Sequence, residues 1–181
     1  MRSKRRPTRT ASQAPMLWLI LLAVAAATWY FYTHRAANNA ETIAVYYRKL
    51  DGSSMGDVRV SLRPREPGES AGEHLRNEAL YAAVQAVAGP PNEIKAIRFP
   101  PGTRVNDVRM DGSTAIVDLS AEVERQAGGS FGENGEFKAL VYTLTSIRGI
   151  DAVQITVGGQ HLDTLPGGHL ALDEPLHRSD W

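Results

Sequence analysis

The chain of 181 residues is long enough for one domain of ordinary size with tails, and its 20 basic and 20 acidic side chains cancel to a formal charge of zero. It contains no cysteine, which excludes disulfides, thiolate metal sites, a cysteine nucleophile and an acylated lipoprotein anchor. Arg2, Lys4, Arg5, Arg6 and Arg9 all fall in the first 15 residues, so the remainder carries a net charge of −5 and lacks the concentrated basic surface that nucleic-acid binding requires.

Ala14 to Tyr32 reads APMLWLILLAVAAATWYFY, without a charged residue. About twenty such residues cross a bilayer as a helix, because lipid offers the backbone no outside partner. Trp29, Tyr30, Phe31 and Tyr32 stand at the C-terminal end, where amphipathic rings favour the headgroup layer. Five basic residues precede the run and only His34 and Arg35 follow closely, so the positive-inside rule places the N-terminus in the cytoplasm and the rest outside. The alternative is a cleaved signal peptide with small residues at Val24-Ala25-Ala26; the aromatic cluster extends the run past that point to near full membrane length, which favours an uncleaved anchor. The organisation expected is a basic cytoplasmic tail (1–13), a transmembrane helix (14–33), a linker (34–41), one domain (42–175) and a short C-terminal tail (176–181).

TIAVYYRKL and VRVSLRPR alternate and flank the turn DGSSMGD, predicting a hairpin with Ile43, Val45 and Tyr47 on one face and Val58, Val60 and Leu62 on one side. Pro64 and Pro67 end it. HLRNEALYAAVQAVAG then changes period: Leu80, Ala83, Val84 and Val87 form a helical stripe that Gly89 and Pro90-Pro91 terminate. FPPGTRVNDVRMDGSTAIVDLS reads as a second hairpin turned at Asp111-Gly112, with Ala115, Val117 and Leu119 facing inward. Val105 is out of phase with Val108, which predicts a bulge near Asn106-Asp107. AEVERQAGGSFGENGE reads as a helical turn and a flexible glycine-rich loop, with Ser130 or Asn134 capping the helix that follows. Phe137, Leu140, Val141, Leu144 and Ile147 form that helix's stripe and Gly149 closes it; Val153, Ile155 and Val157 mark the last strand. The order is β-β-α-β-β-α-β, an α+β domain with helices on one face of a mixed sheet.

Little in this pattern points to catalysis. The glycine-rich stretch lacks a phosphate-loop lysine, and Glu133 and Glu136 would repel phosphate. No G-x-S-x-G elbow occurs. Glu122 and Glu124, two apart on a helix, point away from each other. His161, Asp163, His169, Asp173 and His177 crowd the C-terminal region, but a tail interrupted by Pro166, Gly167 and Gly168 is a poor scaffold for a metal. Asp118 faces away from the core beside Ser120, a good N-cap, so capping is the role expected of the pair.

EALYAAVQAVAGPP, IRFPPGTRVNDVRMDGSTAIVDLS and EFKALVYTLTSIRGIDAVQITVGG together resemble the GerMN domain, the sporulation and spore germination domain. The matching features, in order, are Gly89-Pro90, Pro101-Gly102-Thr103, Val117 to Ser120, Thr143-Leu144-Thr145, Gly149 and Val153 to Gly159. The resemblance covers about residues 42 to 175. It implies a non-enzymatic extracytoplasmic domain that looks like the ring-building motifs of secretion and sporulation channels, with two helices on a three-stranded sheet. It brings no catalytic residue, cofactor or metal. Expected partners are the membrane and envelope or sporulation-channel proteins, including further copies of the chain, and not nucleic acid. The expected location is the bacterial cytoplasmic membrane, domain outward. The outer face of the second hairpin, including Arg104, Arg109 and Thr114, is the expected interaction surface. An alternative is an envelope glycan- or ligand-binding module unrelated to sporulation, with Tyr46, Tyr47, Tyr81 and Trp181 as stacking residues.

Overall fold

A computed structural model describes residues 22–30, 41–52, 54–125, 129–166 and 168–181, in two compact units, Met1–Ala40 and Glu41–Trp181. In the first, residues 22–30 are helical and exposed, and the Thr28 hydroxyl donates to the Val24 carbonyl at 2.7 Å. Among the described residues no helix is long and apolar enough to cross a membrane. The remainder of the expected span (14–21 and 31–33), the basic tail and linker residues 34–40 lie outside the described residues.

The second unit runs β1 (Thr42–Arg48), β2 (Met55–Ser61), α1 (Ala71–Ala88), β3 (Val105–Asp111), β4 (Thr114–Leu119), a 3₁₀ turn (Ala121–Glu124), α2 (Gly129–Leu144) and β5 (Ala152–Val157), with a 3₁₀ turn at Arg178–Asp180. The order is the one expected; the sheet is not. Among the described residues β1 and β2 form a two-stranded sheet of their own, and the mixed sheet is three-stranded, β3-β4-β5. The reason lies at β1's second edge, where protein groups other than a strand take the hydrogen bonds. Tyr46 N–H donates to the Thr143 hydroxyl on α2 at 2.9 Å, and Ile97 N–H donates to the Arg48 carbonyl at 2.9 Å.

In the three-stranded sheet β3 and β4 are antiparallel, while β4 and β5 are parallel, a pairing that needs the crossover α2 supplies. Val105 faces Leu119 but Asp107 faces Asp118, so Asn106 is the extra residue of a bulge, as its phase implied. The turn is displaced by one residue from expectation. Asp111 pairs with Thr114, leaving Gly112 and Ser113 as the loop. Gly112 has φ +57°, which a glycine in the first loop position of a two-residue hairpin adopts without strain.

Val108, Ala115, Val117, Leu119, Val153, Ile155 and Val157 share one buried parity and join α1 and α2 in a single core. The inward stripe of α1 differs from the expected one. Ala79, Ala82, Ala83, Ala86 and Val87 are buried, whereas Val84 is 42% exposed. Short alanine side chains let the helix come close to its neighbours, which decides the face over hydrophobicity alone. Arg76 then fastens α1 to the β3 edge, donating to the Val108 carbonyl at 2.8 Å and pairing with Asp107 at 2.6 Å.

The glycine-rich stretch is helix, not a flexible loop: α2 already begins at Gly129. Gly132 and Gly135 are buried, and a Cβ on Gly135 would stand 2.6 Å from Ile97 Cδ1. Gly135 serves close packing rather than mobility. The expected stripe of Phe137, Leu140, Val141, Leu144 and Ile147 is buried throughout, with Phe137 edge-on to Phe99 at 5.6 Å. The irregular residues after Pro166 are fastened as well. Leu172 and Leu176 are buried, and Leu176 exchanges backbone hydrogen bonds with Val153.

Candidate functional site

Glu69 sits immediately before Ser70, the N-cap of α1. Ser70 Oγ accepts from Glu73 N–H at 3.2 Å and the Glu73 carboxylate accepts from Ser70 N–H at 2.9 Å, a capping box that fixes the first turn. The Glu69 carboxylate is thereby placed among donors: Glu66 N–H at 3.0 Å, Asn77 Nδ2 at 2.7 Å, His74 Nδ1 at 3.2 Å and Arg63 Nη2 at 3.1 Å. The Glu66 amide first, then Asn77 and the others, hold its carboxyl at about 2, against burial. An ionised Glu69 only accepts, so Nδ1 of His74 carries the proton.

The other ring nitrogen of His74 looks the opposite way. Nε2 stands 3.1 Å from Glu78 Oε1, one helical turn on. Burial pushes the Glu78 carboxyl up, against the pull of His74, and the charges of Glu41 and Glu69 push the same way. Glu41, just before β1, completes a set in which one ligand-type atom from each of Glu41, His74 and Glu78 lies within 4.8 Å of the others. Beside them opens a cleft of about 430 Å³ lined by Leu62, Arg63, Asn77 and Tyr81. The sequence signal for this cluster is the His-x-x-x-Glu spacing at 74 and 78, which places two ligand-type side chains on one helix face. Glu41 and Glu69 reach it only through the fold.

The surface expected on the second hairpin is distributed along it. Arg109 is exposed and lies opposite Ile116, while Thr114, half-buried, lies by the turn opposite Asp111. Arg104 stands at the far end, its side chain 72% exposed and 3.9 Å from Glu122. The same face of β5 is closed: Ala152, Gln154 and Thr156 are buried, and Gln154 Nε2 donates to the Leu172 carbonyl at 2.6 Å.

Asp118 does not cap the following turn. Its carboxylate accepts from Asn106 Nδ2 at 2.9 Å, Thr156 Oγ1 at 2.9 Å and Gly159 N–H at 2.6 Å, joining all three strands. Burial raises its carboxyl, but these hydrogen bonds outweigh that and hold it below the ordinary range. Ser120 does precede the 3₁₀ turn, yet makes no side-chain cap; its hydroxyl accepts from Arg104 N–H at 3.0 Å. As for the expected caps of α2, the helix starts ahead of both: Asn134 lies within it, and the Ser130 side chain lies outside the described residues.

Glu133 and Glu136, read as loop acids, are interior. Glu133 is fully buried and Glu136 is 7% exposed; Glu133 Oε2 accepts from His169 N–H at 2.8 Å. His161, His169 and His177, with Asp163 and Asp173, are all exposed. The four aromatic residues do not converge. Tyr46 packs edge-on to Tyr142, Tyr47 lies over Gly56, Trp181 lines a hollow with Phe131, and Tyr81 is 38% exposed at the His74 cleft.

Residues 44–163 match the family described as Germane, sporulation and spore germination. The chain is 33% identical over 114 residues to the spore germination protein GerM of Bacillus subtilis (strain 168), an alignment covering 60% of this chain and 30% of that protein. Among solved structures it is similar to the first GerMN domain of the sporulation protein GerM from Bacillus subtilis, with TM-score 0.54 and 24% identity over 77% of this chain and 99% of that one. The tandem GerMN domains of the same protein align with TM-score 0.52 and 25% identity, over 78% of this chain and 47% of theirs. A putative lipoprotein from Clostridium perfringens, 18% identical, shares the fold with TM-score 0.54 over 77% of this chain and 89% of that one.

Proposed function

The chain belongs to the Germane family of sporulation and spore germination domains, and on that ground we propose that it is a membrane-anchored, extracytoplasmic interaction protein that acts in sporulation or germination through protein–protein assembly. The reading is non-enzymatic, with the domain displayed outside the cytoplasmic membrane by the apolar segment 14–33. The observation that carries the interaction role is the asymmetry of the sheet's outer face. β5 is closed over by the C-terminal residues, whereas the β3–β4 ribbon presents Arg109, Thr114 and the half-buried Ile116. An open, mixed polar and apolar strip bounded by ordered structure is the kind of surface a neighbouring domain can cover. It also suits side-by-side packing of the ring-building type.

The test is light-scattering chromatography of the full chain in detergent, with cross-linking in envelope membranes. Self-association or a defined envelope partner, weakened by the Arg104→Glu, Arg109→Glu double variant, is the expected result. A strictly monomeric chain that cross-links to nothing overturns the reading. One observation favours the glycan-binding alternative, the exposed Tyr81 ring beside the cleft; co-sedimentation with peptidoglycan, lost in Tyr81→Ala, would establish it instead.

A further inference from the structure

His74 is held in a way that leaves one nitrogen committed and one aimed. Its Nδ1–H is engaged by Glu69 at 3.2 Å, and Glu69 is itself fixed by Asn77, Arg63 and the Glu66 amide. That arrangement, a carboxylate holding the far ring nitrogen in one tautomer and orientation, is what outer-sphere partners give a metal-binding histidine. With Nδ1 protonated, the Nε2 lone pair points at Glu78 Oε1, 3.1 Å away. Two electron-rich atoms at that separation need positive charge between them. A proton on Nε2 supplies it, and so does a cation.

We propose that Glu41, His74 Nε2 and Glu78 form a binding site for a divalent transition-metal ion of the Zn²⁺ type. Bond lengths of about 2.0–2.1 Å to nitrogen and oxygen put the ligand atoms of a tetrahedral Zn²⁺ roughly 3.3 Å apart, close to the 3.1 Å found between His74 and Glu78. The 4.8 Å limit on the whole set leaves Glu41 a short way to move, and its exposure lets the side chain rotate inward. One histidine and two carboxylates match the borderline-soft preference of Zn²⁺ better than that of Ca²⁺ or Mg²⁺, which take oxygen sets. The adjacent cleft leaves the fourth position open to water or to an outside ligand. An ion there ties the residue preceding β1 to the first turns of α1, a cross-link that neither side chain makes alone. The site is independent of the sheet-face reading of function.

The experiment is titration of the full chain with Zn²⁺ alone, followed by competition with a chromophoric chelator and by thermal unfolding. The comparison set is Glu41→Gln, His74→Ala and a triple variant, His161→Ala, His169→Ala, His177→Ala. One equivalent of Zn²⁺ is expected to bind and to raise the unfolding temperature. Affinity should fall more than about tenfold in Glu41→Gln and His74→Ala and stay unchanged in the triple variant. Should His74→Ala fail to fold, the exposed Glu41 decides the matter. No binding by the wild-type chain, unchanged affinity in Glu41→Gln, or binding lost only with the tail histidines overturns the proposal.

Discussion

The hydroxyl of Thr143 joins two distant parts of the chain: it accepts from Tyr46 N–H at 2.9 Å and donates to the Ala139 carbonyl at 2.8 Å. Thr143 is fully buried, so β1 is seated on α2 by a hydrogen bond that water cannot replace. Thr143→Val keeps the shape and leaves the Tyr46 amide without its partner. It should cost about 1–3 kcal/mol of stability, while Thr143→Ser should cost less. Denaturant unfolding of the two variants checks this, and a larger loss in Thr143→Ser than in Thr143→Val would show that the methyl group and not the hydroxyl matters.

Glu136, beside Glu133, sets a pH dependence. Glu133 Oε1 and Glu136 Oε2 are buried without a hydrogen-bond partner. Burial, and then the charge of Glu133, push the Glu136 carboxyl up to about 8 from an ordinary value of 4.5. Between those two values the folded chain keeps a proton that the unfolded chain releases, so stability falls as pH rises through this window and levels off above it. Below the lower value the group contributes no slope. Glu136→Gln should therefore flatten the curve of unfolding free energy between pH 5 and pH 8, assay conditions set about those values, and raise stability at the upper end by a few kcal/mol. Parallel curves for variant and wild type would sink the assignment.

Asp118 titrates with the opposite sign. Its carboxyl is held below the ordinary range, so its stabilisation is present above the unfolded value of 3.8 and is lost as pH falls through the folded one. Asp118→Ala removes the acceptor for Asn106, Thr156 and the Gly159 amide, and should cost about 1–3 kcal/mol at neutral pH. The loss should shrink in acid, and acid unfolding curves of the two proteins should converge.

Phe137→Ala should cost about 3–5 kcal/mol, since the ring is wholly buried against Phe99. Phe137→Leu, which refills most of the volume, should recover over half of that loss, read in the same unfolding experiment. A loss below about 1 kcal/mol would mean the site collapses around the gap.

Periodicity made much of this fold legible. The strand order, the bulge at Asn106 and the α2 stripe follow from spacing alone, because each depends on local pattern. What spacing hides is which of two plausible faces a helix buries. On α1, Val84 outranks Ala79 and Ala82 in hydrophobicity, yet close approach to neighbours selects the alanines. The glycines of GGSFGENGE misled for a related reason: a glycine demanded by a tight contact with Ile97 reads the same as one in a loop. The split into two sheets rests on Thr143, far from β1 in sequence. The Glu41–His74–Glu78 cluster was half visible, as a pair at helical spacing, and needed the β1 approach to gain its third member.

The parallel pairing of β4 with β5 has a consequence for how the chain reaches its fold. β3 and β4 are joined by a two-residue loop, and such a hairpin closes within about 1–10 μs. β5 arrives only after α2 has formed and crossed over, a slower, longer-range event. Until then β4 offers an unpaired edge with Ala115, Val117 and Leu119 uncovered, a template for the β5 segment of any nearby molecule. Refolding at high concentration should therefore divert chains into strand-exchanged dimers, and dilution should rescue them.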